Sequence, residues 1–556
     1  MKAVTPVKSS ATLFKALRIG NIVRTLRSRY FFVVVLVFIV LVFAYSTVYV
    51  SLDYDNCVYY YLAKRITEGS VPYIDFTLFK TPLYPYLLAL VFLTTGVGFS
   101  QILMTNVFIG ALTLVGIYLL GKKLHTTSTG ILAALVYAGV YFSIYLHTIG
   151  KTEPLFNLLL VYAILFLVKP RPRESLRSIA SPLLLALAFY NLPRASIPAL
   201  AGIALTLLIT STLRRTLRYL GLFTIFATAM SAPFLILAPT EFFYNVFLFN
   251  TLRGFQNTPG VTASIQWLLE RGSLTLFTFG TLGLLLATLH AWNRLPKPLH
   301  PLAPHLQKNH ATLLASLFLL FWIFLALPQF AYPYMIYPIW PLLATGAALL
   351  ITPLIKHVSK IVEESKSLLR KRSIKHMAPV LLTLLLIATV AVDSGFMVLT
   401  SVLDYKWSTD RENGLDEVSF FIQENLEKDD LVLSFDPSLS VRFIDRLVLP
   451  PDLVGGSLDL VNYFPYKAFS LMMENSTDFN PANLVAMRKE LEGVQIRIQS
   501  KEFSALLSQA TILVFNGEAF LETYFPDYEG TLKKVITERC RLLQTFGTMS
   551  VYRVES

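Results

Sequence analysis

The chain has 556 residues, 54% of them hydrophobic and only 15% charged, with a mean hydropathy of +0.57 and a formal net charge of +13. Soluble globular domains carry about 25% charged residues, so the composition excludes a soluble globular protein and defines a polytopic membrane protein. Two cysteines, Cys57 and Cys540, exclude a cysteine-based metal cluster.

Residues 1–30 hold seven Lys/Arg and no Asp/Glu, which predicts a cytoplasmic N-terminus. Apolar runs near the ~20 residues that cross a bilayer then recur along the chain. They fall at roughly 31–50, 101–120, 129–147, 153–168, 179–192, 197–212, 216–239, 273–292, 311–328, 333–354 and 377–400, predicting eleven spans. The first is too long for a secretory signal and lacks a small-residue cleavage site, so it reads as a retained anchor. A further apolar segment, 82–98, is read as a helix at the outer interface. With 82–98 outside, the basic connections Gly121–Leu124, Lys169–Arg177, Arg214–Arg218, Pro296–His310 and Lys356–His376 all fall inside; were it to cross, all five would fall outside.

That topology leaves outside the loop 51–100, the turn 148–153, the loop 240–272 and everything after about residue 403. The tail 404–556 has 24 Asp/Glu and 15 Lys/Arg, a net of −9, so the rest of the chain carries +22. The high isoelectric point therefore reflects cytoplasmic loops on anionic lipid, and no nucleic-acid partner is implied. Three units follow: a basic cytoplasmic segment 1–30, a transmembrane domain 31–403 with the external loop 51–100, and an extracytoplasmic α/β domain 404–556.

In the tail, residues 414–427 have helical periodicity, and Leu431–Phe435 and Thr511–Phe515 are short β-rich runs. It reads as a lid or an acceptor-docking domain without catalytic residues. Asn475-Ser476-Thr477 is a glycosylation sequon on the outer face. Cys57 and Cys540 would both lie outside, but nothing in the sequence fixes a pairing.

The most informative segment runs from Asp53 to Tyr86. It places Asp53, Asp55 and Asp75 at the water-facing edge of the first span, ahead of an aromatic and proline-rich stretch. Carboxylates at that depth are costly unless solvated, paired or used. The chain has no Walker loop, Rossmann glycine fingerprint or HExxH, and no internal repeat of the kind that builds inverted-repeat transporters.

Asp55, then Tyr59-Tyr60, Glu68-Gly69, Pro72-Tyr73, Asp75-Phe76 and Lys80-Thr81-Pro82-Leu83-Tyr84 resemble the first external loop of GT-C glycosyltransferases. The branch most similar is that of the dolichyl-phosphate-mannose–protein mannosyltransferases and bacterial aminoarabinose transferases. YLLGKKL and ILAALVYAGVYFSIY further along also fit, so the resemblance covers roughly residues 30–240. It implies a GT-C fold, a lipid-linked sugar donor, an external active site and inversion at the anomeric carbon.

Such a donor is already activated, because its phosphate leaves. The enzyme needs a base for the acceptor hydroxyl and cations for the departing phosphate. Asp55 is the candidate base and also a candidate N-cap of a helix over 56–67, with Asp53 its rival. Glu153, in HTIGKTEPLF, is the second acid, at a position where the family usually has Asp; it would orient the acceptor. Asp75 reads as structural, holding the loop by hydrogen bonds.

Lys80, Arg194 and Arg253 are the candidate phosphate contacts, since few basic residues occur on this side. Tyr59, Tyr84 and Tyr332 are candidate substrate-lining residues. Tyr332 lies in Gln329–Tyr334, where the family often shows a basic residue and this chain has none. Asp53, Asp55 and Glu153 are oxygen donors suited to a divalent ion, but the resembling branch does not generally need one, and no metal or other cofactor is expected.

The expected partners are a polyprenyl-phosphate sugar, membrane lipid and a protein, lipid or glycan acceptor. The expected location is a prokaryotic cell membrane, multi-pass. A lipid or solute transporter with an accessory external domain is the alternative; it predicts mid-span charges, which the spans from 101 to 168 almost lack. A non-catalytic scaffold in a glycan-assembly complex is a third reading.

Overall fold

The computed structural model describes residues 54–139, 141–168, 175–249, 274–302, 306–326, 338–368, 415–425, 429–435, 503–516, 532–547 and 549–555, with scattered positions besides. Asp53, Arg253, Tyr332, the sequon at 475–477 and the predicted span 377–400 lie outside the described residues.

The membrane part is a helical bundle. Its first described helix, α1 (Tyr54–Thr67), ends where Gly69 adopts φ +94°. Ser70 N–H there bonds back to Arg65 O at 3.0 Å, a glycine-dependent helix stop. A tight turn follows, with Tyr73 N–H donating to Phe76 O at 2.8 Å. The Asp75 carboxylate accepts from Val71 N–H at 2.7 Å, the loop-holding role the sequence predicts for it.

Helix α2 (Leu83–Thr95) occupies the segment read as interfacial. Its 13 residues reach about 20 Å at 1.5 Å per residue, short of the ~30 Å hydrocarbon core. Then come α3 (Phe99–Leu124) and α4 (Thr127–Ala138), joined by a corner where the Thr126 hydroxyl accepts from Thr129 N–H at 3.2 Å. A Cβ on Gly121 would lie 2.8 Å from Gly130 Cα, so glycine on both helices permits this close hairpin.

The bundle continues with α5 (Tyr141–Thr148), α6 (Glu153–Leu167), α7 (Ser175–Asn191), α8 (Pro193–Thr210) and α9 (Leu213–Leu237). A short helix, Pro239–Phe243, runs into a π turn, Tyr244–Phe249. Helices α10 (Leu274–Ala291), α11 (Lys308–Ala326) and α12 (Trp340–Leu368) complete it. Helix α6 packs between α3 and α7, α9 lies on α7, and α10 packs tightly on α12. In that last pair Gly283 faces Gly346 O and Gly346 faces Gly280 O, with no room for a Cβ.

Eleven spans are more than the described residues carry. Among them, three helices are long and apolar enough to cross a membrane: α3, α8 and α9. The single run predicted at 129–147 is divided between α4 and α5 after Gly139, and 153–168 yields only the 15-residue α6. The 129–147 window is thus broken at Gly139, whereas 153–168 forms one continuous helix. Helix α9 buries only 11% of its apolar window, leaving Ile225, Ile236 and Leu237 exposed. An uncovered apolar face of that kind suits lipid rather than water.

The tail forms a four-stranded sheet, in order β1-β2-β4-β3. Strand β1 (Val432–Ser434) runs parallel to β2 (Ile512–Asn516), with Val432 opposite Ile512. Strands β3 (Cys540–Phe546) and β4 (Met549–Val554) form a hairpin turning at Gly547, φ +57°. The helix over 415–425 buries Leu415, Val418 and Ile422 against Val432, Ile512, Val514 and Val551. Both predicted strands and the predicted helix are present. Cys57 and Cys540 are not disulfide-bonded.

Candidate active site

Glu153 is the first residue of α6, where the positive end of the helix dipole favours a carboxylate. It is only 9% exposed, and the Thr152 hydroxyl donates to its Oε2 at 3.4 Å. The turn that presents it, Ile149–Thr152, is clamped by three buried asparagines. Asn56 Oδ1 accepts from Gly150 N–H. Asn106 Nδ2 donates to Ile149 O and, at 3.4 Å, to Lys151 O, while its Oδ1 accepts from the Tyr84 hydroxyl at 3.0 Å. Asn191 Nδ2 donates to Thr152 O at 2.8 Å.

Each clamp comes from a different helix, α1, α3 and α7. Their combined effect is to hold the start of α1 and the α7–α8 corner against the turn before Glu153. Gly150 is required here, because a Cβ would lie 2.5 Å from Ile102 Cγ2 and 2.6 Å from Asn56 Oδ1.

The backbone of Asp55 lies inside α1, rather than ahead of it as an N-cap at the start of 56–67 would have it. Its neighbour Asn56 makes the clamp to Gly150. Positions 55 and 59 are i, i+4 and share one helix face. Tyr59 is buried, and its hydroxyl accepts from Lys80 Nζ at 2.7 Å, with the ammonium 5.0 Å from the ring centroid. Tyr59 also meets Tyr84 edge-on at 4.9 Å. Lys80 is therefore tethered to the same face of α1 as Asp55.

The Tyr73 hydroxyl donates to Lys80 O at 2.7 Å and fixes the backbone of that loop. Burial, with Tyr190 and Tyr86 nearby, pushes the Tyr73 phenol well above its ordinary value, so it remains a donor. Its ring is held between Phe234 and Phe242 at 5.2 and 5.1 Å.

Arg194 is the second residue of α8 and half-buried. Among the described residues it has no ion-pair partner. The bond from Asn191 to Thr152 O draws its corner toward Glu153. Tyr84 is fully buried, its hydroxyl engaged by Asn106. The structure thus brings together the backbone at Asp55, Tyr59, Lys80, Tyr84, Glu153 and the Arg194 corner. Among the described residues no group of three His, Cys, Asp or Glu is placed to hold a metal.

Asn56, Asn106 and Asn191 escaped the sequence reading. The available signal was an amide inside or beside an apolar run, where a buried polar group is costly unless bonded.

Residues 79–236 match the family model described as dolichyl-phosphate-mannose-protein mannosyltransferase. The crystal structure of ArnT from Cupriavidus metallidurans bound to undecaprenyl phosphate is similar, with a TM-score of 0.58 and 12% identity over 94% of this chain and 98% of that one. Its apo state matches equally, with a TM-score of 0.58. The archaeal oligosaccharyltransferase AglB from Archaeoglobus fulgidus, in complex with an inhibitory peptide and a dolichol-phosphate, gives a TM-score of 0.54 and 12% identity. That likeness covers 95% of this chain and 74% of AglB. No curated protein sequence matches.

The fold is that shared by ArnT and AglB. Within it, the family match over residues 79–236 and the likeness to ArnT agree with the resemblance carried by the loop from Asp55 to Tyr84.

Proposed function

We propose that this protein is an integral membrane glycosyltransferase. It moves a sugar from a polyprenyl-phosphate carrier to a hydroxyl of a protein, lipid or glycan, with inversion, on the external face. The N-terminus 1–30 is then cytoplasmic, α2 lies at the outer interface and the tail 404–556 stands outside. The family match and the carriers bound by ArnT and AglB support a lipid-phosphate donor.

The observation that carries the reading is the bond from Gly150 N–H to Asn56 Oδ1. It ties the residue next to Asp55 to the turn that ends at Glu153, so the two acids serve one site. Asp55 takes the proton of the acceptor hydroxyl, with Asp53 as its rival, and Glu153 orients the acceptor. The oxygen of the acceptor attacks the anomeric carbon as the carbon–oxygen bond to phosphate breaks. Lys80, Arg194 and Arg253 bind the departing phosphate. Lys80, held by the Tyr59 hydroxyl, brings an ammonium with three donors to the phosphate. Tyr59, Tyr84 and Tyr332 line or back the sugar site, and no metal takes part.

The test is purified protein in lipid, given a panel of polyprenyl-phosphate hexoses and pentoses and membrane extract as acceptor. Release of free polyprenyl phosphate with at least one donor is expected. Transfer only from sugar nucleotides or diphosphate-linked donors would overturn the donor class, and solute uptake into vesicles without any transfer would point to a transporter.

A further inference from the structure

The end of the bundle opposite Glu153 holds a second feature. Phe166 and Leu167 lie at the far end of α6 from Glu153, about 20 Å away at 1.5 Å per residue. There the ends of α6, α7, α8 and α9 enclose a cavity of about 210 Å³, lined by Leu167, Ser178, Leu207, Arg215, Arg218 and Tyr219 among others. Its floor is polar but satisfied: Ser181 Oγ donates to Ala163 O at 2.9 Å and lies 3.1 Å from the Tyr219 hydroxyl. Its walls are hydrocarbon, from Phe166, Leu167, Leu207 and Leu222.

The rim is cationic. Arg215 and Arg218 are i, i+3 on the first turns of α9, both exposed, and no ion pair among the described residues engages either. A guanidinium pair above an apolar slot, at the mouth of a helix bundle, complements a phosphate joined to an acyl chain. A free inorganic anion would use the rim and leave the hydrocarbon walls wet.

We propose that this cavity is a binding site for one anionic phospholipid, its phosphate on Arg215 and Arg218 and the start of a chain between α6, α8 and α9. The site lies on the membrane face opposite the candidate active site, and it stands whether or not the protein transfers sugar. It differs from general snorkelling of arginines to headgroups in one respect. Arg214 is equally exposed on the same helix turn but does not line the cavity.

The experiment is native mass spectrometry of the full-length protein titrated with phosphatidylglycerol and, separately, phosphatidylcholine. One retained phosphatidylglycerol is expected, bound about tenfold tighter than phosphatidylcholine, whose choline cation offsets the phosphate charge and is repelled by the two guanidinium groups. Arg215→Gln/Arg218→Gln loses that preference, whereas Arg214→Gln keeps it. Ser178→Trp, which fills the slot and leaves both charges in place, also displaces the lipid, and this arm stands if the arginine variant folds poorly. Equal retention of the two lipids, an equal loss in Arg214→Gln, or displacement by millimolar inorganic phosphate would overturn the proposal.

Discussion

Gly150→Ala isolates the contact that joins the two acids. The added Cβ would lie 2.5 Å from Ile102 Cγ2 and 2.6 Å from Asn56 Oδ1, where ordinary contacts begin at 3.4 Å. Relief therefore takes a displacement of about 1 Å between the 149–152 turn and the side chains of Ile102 on α3 and Asn56 on α1. Overpacking of this kind lowers stability by about 1–3 kcal/mol, and a misplacement of that size reduces turnover by about 100-fold. Donor affinity should hold, because Lys80 is tethered through Tyr59 and not through Gly150. The assay is kcat and donor Kd in lipid, alongside thermal unfolding. Asn56→Ala removes one clashing atom, so the double variant should be less impaired than the sum of the two, with a coupling of about 0.5–3 kcal/mol. Wild-type turnover in a folded Gly150→Ala protein, or strict additivity with Asn56→Ala, would show that the start of α1 and the turn before Glu153 are not coupled.

Lys80→Met should weaken binding of polyprenyl phosphate about tenfold or more, the value of a charge-assisted hydrogen bond. Tyr59→Phe, which removes only the hydroxyl holding Lys80 at 2.7 Å, should have a smaller effect in the same titration. Asn191→Leu strips the donor from Thr152 O and should reduce stability by about 1–3 kcal/mol, with a larger fall in kcat than in donor affinity. In the tail, burial raises the Asp430 carboxyl, but bonds from Glu427 N–H, Thr511 and Arg553, with the guanidinium charge 2.9 Å away, hold it below its usual value. Its contribution is therefore present above the unfolded carboxyl value of about 3.9 and is lost as pH falls through the lower folded value. The urea midpoint of the sheet should drop between pH 6 and pH 3 in the wild type and drop less in Asp430→Asn.

Hydropathy and charge made the helical membrane part legible, because long apolar runs and basic connections are local properties of the chain. The strands at 431–435 and 511–515 were legible for the same reason, since Val432, Leu433 and Phe435 and the run from Ile512 to Phe515 are buried and apolar. The β3–β4 hairpin was not, because Cys540–Phe546 is largely exposed and has no clean alternation. Span lengths were overread where an apolar window runs through a break, as at Gly139. Helix α12 was underread, since it continues to Leu368 past the apolar window ending near 354. The candidate acids and cations stood out because charge is rare in the membrane-domain loops predicted to lie outside. The asparagine clamp did not, because its pairs are 94, 43 and 39 residues apart along the chain, and only the fold brings them together.

Asp55→Asn is the decisive test of the proposal that Asp55 is the base of a lipid-phosphate sugar transferase. Purified wild type and variant, with matched folding and matched affinity for polyprenyl phosphate, would be compared for release of that carrier from its sugar-loaded form in the presence of acceptor. The expected result is a fall of at least ~100-fold in kcat, the usual range for loss of a general base, with carrier binding retained. Release at the wild-type rate would contradict it and move the role to Asp53 or Glu153.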